Sequence, residues 1–241
     1  MTEELREIWV YLAASPLLGL TLTLLAYLVG QFLYRLSGQN ALCNPVALAV
    51  LLLIGILLVT STPYPTYFEG AQFVHFLLGP ATVALGVPLY LHAGRIRKLL
   101  LPLLLALLAG SLTAIMSAMV IAWLLGGSWE TIVSLAPKSV TTPVAMGITE
   151  KIGGLPSLTA VLVILTGITG AVSGSSLLYW LKLRDPSVQG FALGIAAHGI
   201  GTARAFQLSE QSGAFAGIAI GLNALLTSVL VPVLVSLLLV F

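Results

Sequence analysis

From Gly213 to Phe241 the chain carries no charged side chain, and comparable apolar runs extend over Ile8 to Tyr34, Leu99 to Leu125 and Ser157 to Leu181. A helix needs about 20 such residues to cross a hydrocarbon layer about 30 Å thick. Inside that layer every backbone amide must find its partner within the protein, which leaves helices or closed barrels. A barrel would show short segments of alternating polarity. The chain is therefore expected to be an all-α polytopic membrane protein, a single transmembrane domain over residues 1–241 with an N-terminal helix and loop at 1–43. Only 7% of its residues are charged, against about 25% in soluble domains. A net charge of +2 gives no reason to expect a nucleic-acid partner. The single cysteine, Cys43, excludes an intramolecular disulfide and a Cys-rich metal site; it reads as a small residue at a helix start. The N-terminus lacks a basic n-region, so the first helix is expected to serve as the insertion signal.

Polar interruptions matter more in such a chain. Ala136-Pro-Lys-Ser-Val-Thr-Thr-Pro-Val-Ala-Met146 holds two prolines, three hydroxyls and a lysine between long apolar runs. Proline removes a backbone donor and breaks a helix. Broken backbone at membrane depth is tolerated where it is buried in protein or lines a wet cavity. A second interruption, Ala197-His-Gly-Ile-Gly-Thr-Ala-Arg-Ala-Phe206, carries two glycines, a histidine and an arginine. Earlier, Asn44-Pro45 reads as an N-cap followed by proline at the first helical position, and the run Val46 to Val59 is short for a span. Ser61 to Pro65 reads as a stiff aromatic stretch at the interface. A further run, Gln72 to His92, contains Gly79-Pro80 and Pro88 and is expected to kink; His75 and His92 fall near its ends and read as interfacial.

Basic loops favour the cytoplasm. Placing Arg95, Arg97 and Lys98 inside keeps Lys182 and Arg184 inside only if Thr131 to Gly154 enters and returns on one side. The same logic makes Gln189 to Glu210 a second re-entrant segment from the opposite side. The count is about six full spans and two re-entrant hairpins, with both termini outside. Fully crossing broken helices are the alternative. A shift of sixty residues lays Thr142 on Thr202, Ala145 on Ala205, Glu150 on Glu210 and Lys138 on His198. Units 131–181 and 189–241 thus read as an inverted repeat, an arrangement shared by many secondary transporters.

The interruptions supply the candidate site. Lys138, Ser139, Thr141 and Thr142 come from the first, and His198, Gly199, Gly201, Thr202 and Arg204 from the second. Positive side chains, small hydroxyls, exposed amides and half-helix N-termini suit a small organic anion. Arg204 offers a two-pronged contact with a carboxylate. Each has a plainer reading as well. Arg204 pairs with Glu210 or Glu150, Lys138 snorkels to an interface, and the hydroxyls cap freed backbone groups. His198 is a packing residue or, with Glu210, a proton carrier. Asn223 is a wall of the site or a tie between helices. No nucleotide loop, nucleophile triad or metal set is evident, so neither an enzyme nor a cofactor is expected.

Several stretches resemble the LrgB/CidB family: Leu135-Ala-Pro-Lys-Ser-Val-Thr-Thr-Pro-Val-Ala-Met146, Ile152-Gly-Gly-Leu-Pro-Ser-Leu-Thr-Ala160, Leu78-Gly-Pro-Ala-Thr-Val-Ala-Leu-Gly-Val-Pro-Leu-Tyr90, His198-Gly-Ile-Gly-Thr-Ala-Arg204 and Gly213-Ala-Phe-Ala-Gly-Ile-Ala-Ile-Gly-Leu-Asn223. The likeness covers 44–241 in colinear order. It implies either of two functions. One is holin- or antiholin-like regulation of murein hydrolase activity and lysis. The other is secondary transport of small monocarboxylates such as pyruvate, glycolate and glycerate, as in the similar C-terminal half of the plastidial glycolate/glycerate translocator. It also implies a separate LrgA/CidA-type partner, a homo- or hetero-oligomer, and residence in the cell (plasma) membrane. Paired cations in broken segments favour the carrier, since a self-assembling pore has no need of them.

Overall fold

The computed structural model describes residues 16–38, 43–76, 90–91 and 93–239. The described chain is helical throughout: α1 (Pro16–Leu36), α2 (Pro45–Val59), α3 (Tyr64–Phe76), α4 (Ala93–Lys98), α5 (Leu100–Leu124), α6 (Trp129–Leu135), α7 (Thr142–Lys151), α8 (Pro156–Trp180), α9 (Pro186–Leu208) and α10 (Glu210–Leu239). Among the described residues, four helices are long and apolar enough to cross a membrane, namely α1, α5, α8 and α10, and α2 is a shorter apolar helix. Leu101, Leu104, Leu105, Leu108 and Ile121 on α5 are exposed, a surface that suits lipid and not water. The chain is an all-α membrane protein. Most of the expected kinked run from Gln72 to His92 lies outside the described residues.

The chain groups into two compact units, Met1–Ala84 and Leu85–Phe241. In the first, Asn44 caps α2 by accepting from the Val46 and Ala47 amides, with Pro45 at the first helical position as the sequence indicates. The hydroxyls of Thr23 on α1 and Tyr67 on α3 lie 2.7 Å apart. Of the stretch Ser61 to Pro65, Tyr64 and Pro65 already belong to α3, which begins at Tyr64 and not near Gln72. The first turn of a helix tolerates Pro65, because its amide has no intrahelical partner there.

In the second unit both broken segments fold back on themselves. Ser134 lies in the last turn of α6, yet its Oγ accepts from the Leu155 amide at 2.8 Å, beyond the end of α7. A crossing segment would carry Leu155 about 30 Å away from Ser134 at the usual helical rise. Thr159, in the first turn of α8, donates to the Ser134 carbonyl at 2.9 Å, so its oxygen must accept from Thr149 on α7, also at 2.9 Å. These buried hydroxyls close the open end of the first hairpin.

The second hairpin is a single helix in outline, broken at Ala197 (φ −131°) and His198 (φ 42°, ψ −133°). Its closure is equally direct. Ser212 Oγ donates to the Pro186 carbonyl at 2.9 Å, and Gln211 Nε2 donates to Ser187 Oγ at 2.8 Å. A Cβ on Gly201 would strike the Leu193 carbonyl and meet the Ala197 Cβ at 2.6 Å, a contact that a straight helix cannot make across eight residues. Gly201→Ala should therefore cost about 1–3 kcal/mol. Gly199→Ala, whose nearest neighbour would be Ile220 at 3.9 Å, should be close to neutral. Thermal unfolding of the two variants checks the contrast.

Helix α8 fixes the relation between the hairpins. The first has its open end at the start of α8, and the second follows its far end. Over 25 residues α8 spans about 37 Å, so the hairpins enter from opposite ends of the bundle. Asp185 caps the second by accepting from the Ser187 amide at 2.7 Å and pairs with Arg95 at 2.8 Å. Partial desolvation alone would raise its pKa, but the Ser187 bonds and the Arg95 charge outweigh that and hold the carboxyl below its ordinary value. Both side chains are about half exposed, so the pair adds little stability.

Candidate functional site at the hairpin tips

The tips meet at Asn223, buried near the middle of α10. Its Nδ2 donates to the Ser139 carbonyl at 3.2 Å, on the first tip, and to the Ile195 carbonyl at 3.1 Å, just before the break in the second. Its Oδ1 accepts from Ser111 on α5 at 2.6 Å and from Thr227 at 3.2 Å. Two donors and two lone pairs are all used. These contacts tie both tips and α5 to α10. The carbonyls Asn223 holds are those that a broken helix leaves without an intrahelical partner.

Below the tips, Ile132, Val133, Ala136 and Val140 of the first hairpin pack with Ile115 and Met119 of α5, Val163 of α8 and Val231 of α10. This apolar seat holds the tip from beneath and leaves Lys138 half-buried on its other side. An open cavity of about 350 Å³ lies there, lined by Lys138, by Leu162, Leu165, Thr166, Thr169, Gly170 and Ser173 of α8, and by Ala196 of the second hairpin. Both hairpins thus contribute to one cavity. Lys138 makes no ion pair among the described residues. Thr169 and Ser173 rest their hydroxyl protons on the carbonyls one turn back, at 2.7 and 2.6 Å. Those protons are free to swing toward a ligand. Thr166, Thr169 and Ser173 were not among the sequence candidates. The available signal was their i, i+3, i+7 spacing, which puts hydroxyls on one face of an otherwise apolar helix.

The remaining candidates serve the break or lie apart from the cavity. His198 is buried and holds the left-handed backbone of the second tip, with Nε2 donating to the Val163 carbonyl at 2.9 Å. Thr202 donates to the His198 carbonyl at 2.9 Å, one turn back. Side chains with a Cβ rarely adopt such backbone angles, at a cost of about 1–3 kcal/mol. His198→Ala should lose the ring's bond and keep that strain, so it should unfold at a lower temperature than His198→Gly. Gly199 is exposed and Gly201 buried. Thr141 and Thr142 are half-buried at the start of α7 and do not line the cavity. Arg204 is buried, with Nε donating to Ser175 Oγ at 3.1 Å and a terminal nitrogen to Gln207 Oε1 at 3.0 Å. It too is absent from the cavity wall, so Lys138 and Arg204 do not face one space in this conformation. Glu210 is exposed at the open end of the second hairpin, about 15 Å of half-helix away from His198.

The chain matches the LrgB-like family over residues 23–237. It is 38% identical to an uncharacterized protein, YwbG of Bacillus subtilis, over 91% of this chain and 97% of the relative. It is 33% identical to the holin-like protein CidB of Staphylococcus epidermidis, covering 92% and 97% of the two chains. It is 30% identical to the antiholin-like protein LrgB of Bacillus cereus, covering 90% and 95%. No solved structure matches. With most of its length aligned to the family and its helices long and apolar enough to span a bilayer, the chain is an integral membrane protein that belongs to the LrgB-like family.

Proposed function

We propose that this protein acts as a holin/antiholin-like regulator at the cell membrane, and that its molecular activity is the passage of small monocarboxylates. The names of its CidB and LrgB relatives support the first part. The observation that carries the second is Lys138: a cation on a broken segment, facing an open cavity, with no ion-pair partner among the described residues. A lysine at membrane depth costs several kcal/mol unless it meets water or an anion. The hydroxyls of Thr166, Thr169 and Ser173 stand on the opposite wall, suited to the carboxylate or to an oxygen on the adjoining carbon. Arg204, held behind α8 by Ser175, is the second cation and takes the anion once the second hairpin moves. His198 and Glu210 are the candidates for proton coupling. We read 131–181 and 189–241 as inverted repeats, place both termini outside, and assign an LrgA/CidA-type partner in an oligomer. Control of murein hydrolases then follows from the movement of weak acids.

The competing reading is a pore-like regulator, favoured by the word holin in the relatives' names. Uptake of labelled pyruvate and glycolate into proteoliposomes separates the two. The protein is tested alone and with its LrgA-type partner, under imposed pH gradients. Saturable uptake supports passage through a site. Leakage of an unrelated small dye, without saturable uptake, supports the pore.

A further inference from the structure

A second cavity, of about 400 Å³, lies between α5 and the first half of α9. Its walls are Leu99, Pro102, Leu103, Ala106, Gly110 and Ala114 on one side, and residues from Ser187 to Ala196 on the other. The buried cluster of Leu103, Leu107, Phe191, Ile195 and Phe215 underlies it. At Gly110 the groove narrows toward its inner end, where a Cβ would come within 3.3 Å of Ile195. The other end opens into a polar pocket lined by Arg95, Lys98 and Asp185, and the two spaces share Leu99, Ser187 and Val188. Apolar groove and basic mouth form one continuous site.

We infer that this site holds an anionic phospholipid, with one acyl tail in the groove and the phosphate at Lys98. Its proportions favour a tail over a helix. From Leu99 to Ala114 the groove runs about 22 Å at the helical rise, deeper than one leaflet of hydrocarbon. An empty space of about 920 Å³, open solvent included, leaves a mean section of about 42 Å² over that length, whereas a helix of about 10 Å diameter needs roughly 80 Å². The charge pattern favours an anionic head. Of the two cations at the mouth, Arg95 is already paired with Asp185, so Lys98 is the cation left for phosphate. Basic pockets between transmembrane helices hold acidic lipid heads by the same attraction. The site is independent of the monocarboxylate reading and stands whether or not transport is observed.

Native mass spectrometry of the delipidated full chain, titrated with phosphatidylglycerol or phosphatidylcholine, tests it. One phosphatidylglycerol should be retained with about a five-fold preference, the effect expected of one basic residue near a membrane surface. Lys98→Gln should remove that preference. Ala106→Trp should remove both lipids by filling the groove; Ala106 is exposed, so the new ring displaces no core residue. Val188→Trp repeats the block from the opposite wall, where Val188 is 45% exposed. Inorganic phosphate should neither displace the lipid nor reproduce its rise in unfolding temperature. Equal retention of the two lipids, phosphatidylglycerol persisting in both tryptophan variants, or stabilisation by phosphate alone would each overturn the site.

Discussion

Lys138→Met should raise the KM for pyruvate or glycolate uptake by about 10–100-fold, the worth of one hydrogen bond to a charged group. The fold should survive. Lys138 is half-buried at a cavity wall, and the apolar seat beneath the tip does not include it. Methionine keeps the length of the stem and removes only the charge. Arg204→Ala should also depress uptake, but with a different signature. Arg204 is bonded to Ser175 and Gln207, so its loss should lower the unfolding temperature as well as transport. Lys138→Met should move KM alone. Unchanged uptake in Lys138→Met would remove the cavity from the transport path.

Asn223→Leu should destabilise the protein by about 2–4 kcal/mol. Interhelical polar contacts in membranes average about 0.6 kcal/mol each, and Asn223 makes three to other elements, besides the one to Thr227 on its own helix. The larger part comes from what is left behind. The carbonyls of Ser139 and Ile195 would lose a donor in an apolar interior, at about 1–3 kcal/mol for each group left unsatisfied. Thermal unfolding in detergent measures the loss, with Thr227→Val as a control that removes a single bond. A shift no larger than that of Thr227→Val would mean that water or a neighbouring hydroxyl replaces the amide, and that Asn223 is not what joins the tips.

The membrane class and the two broken segments were legible from the residues because proline, glycine and charge are so costly in hydrocarbon. Lys138 and Asn223 stood out for the same reason. What the tips touch was not legible. Nothing in the spacing of Ser134, Thr149 and Thr159 announces that they close one hairpin, since each is an ordinary hydroxyl on its own helix. The α8 hydroxyls were overlooked because serine and threonine in a long apolar run usually bond their own backbone, which Thr169 and Ser173 do. The choice between folding back and crossing rested on a few loop charges. The contact between Ser134 and Leu155 decides it by distance. The position of Arg204 behind α8 depends on packing geometry that no motif encodes.

Because one side chain grips both tips, the hairpins do not have independent degrees of freedom. A swing of either must release its carbonyl from Asn223 or draw α10 along with it. Ser111 extends the linkage to α5. A rearrangement that opens one face of the bundle therefore registers at the other face as a displacement of the same helix. On the proposed transport reading, this is the mechanical condition for two entrances that are never open together.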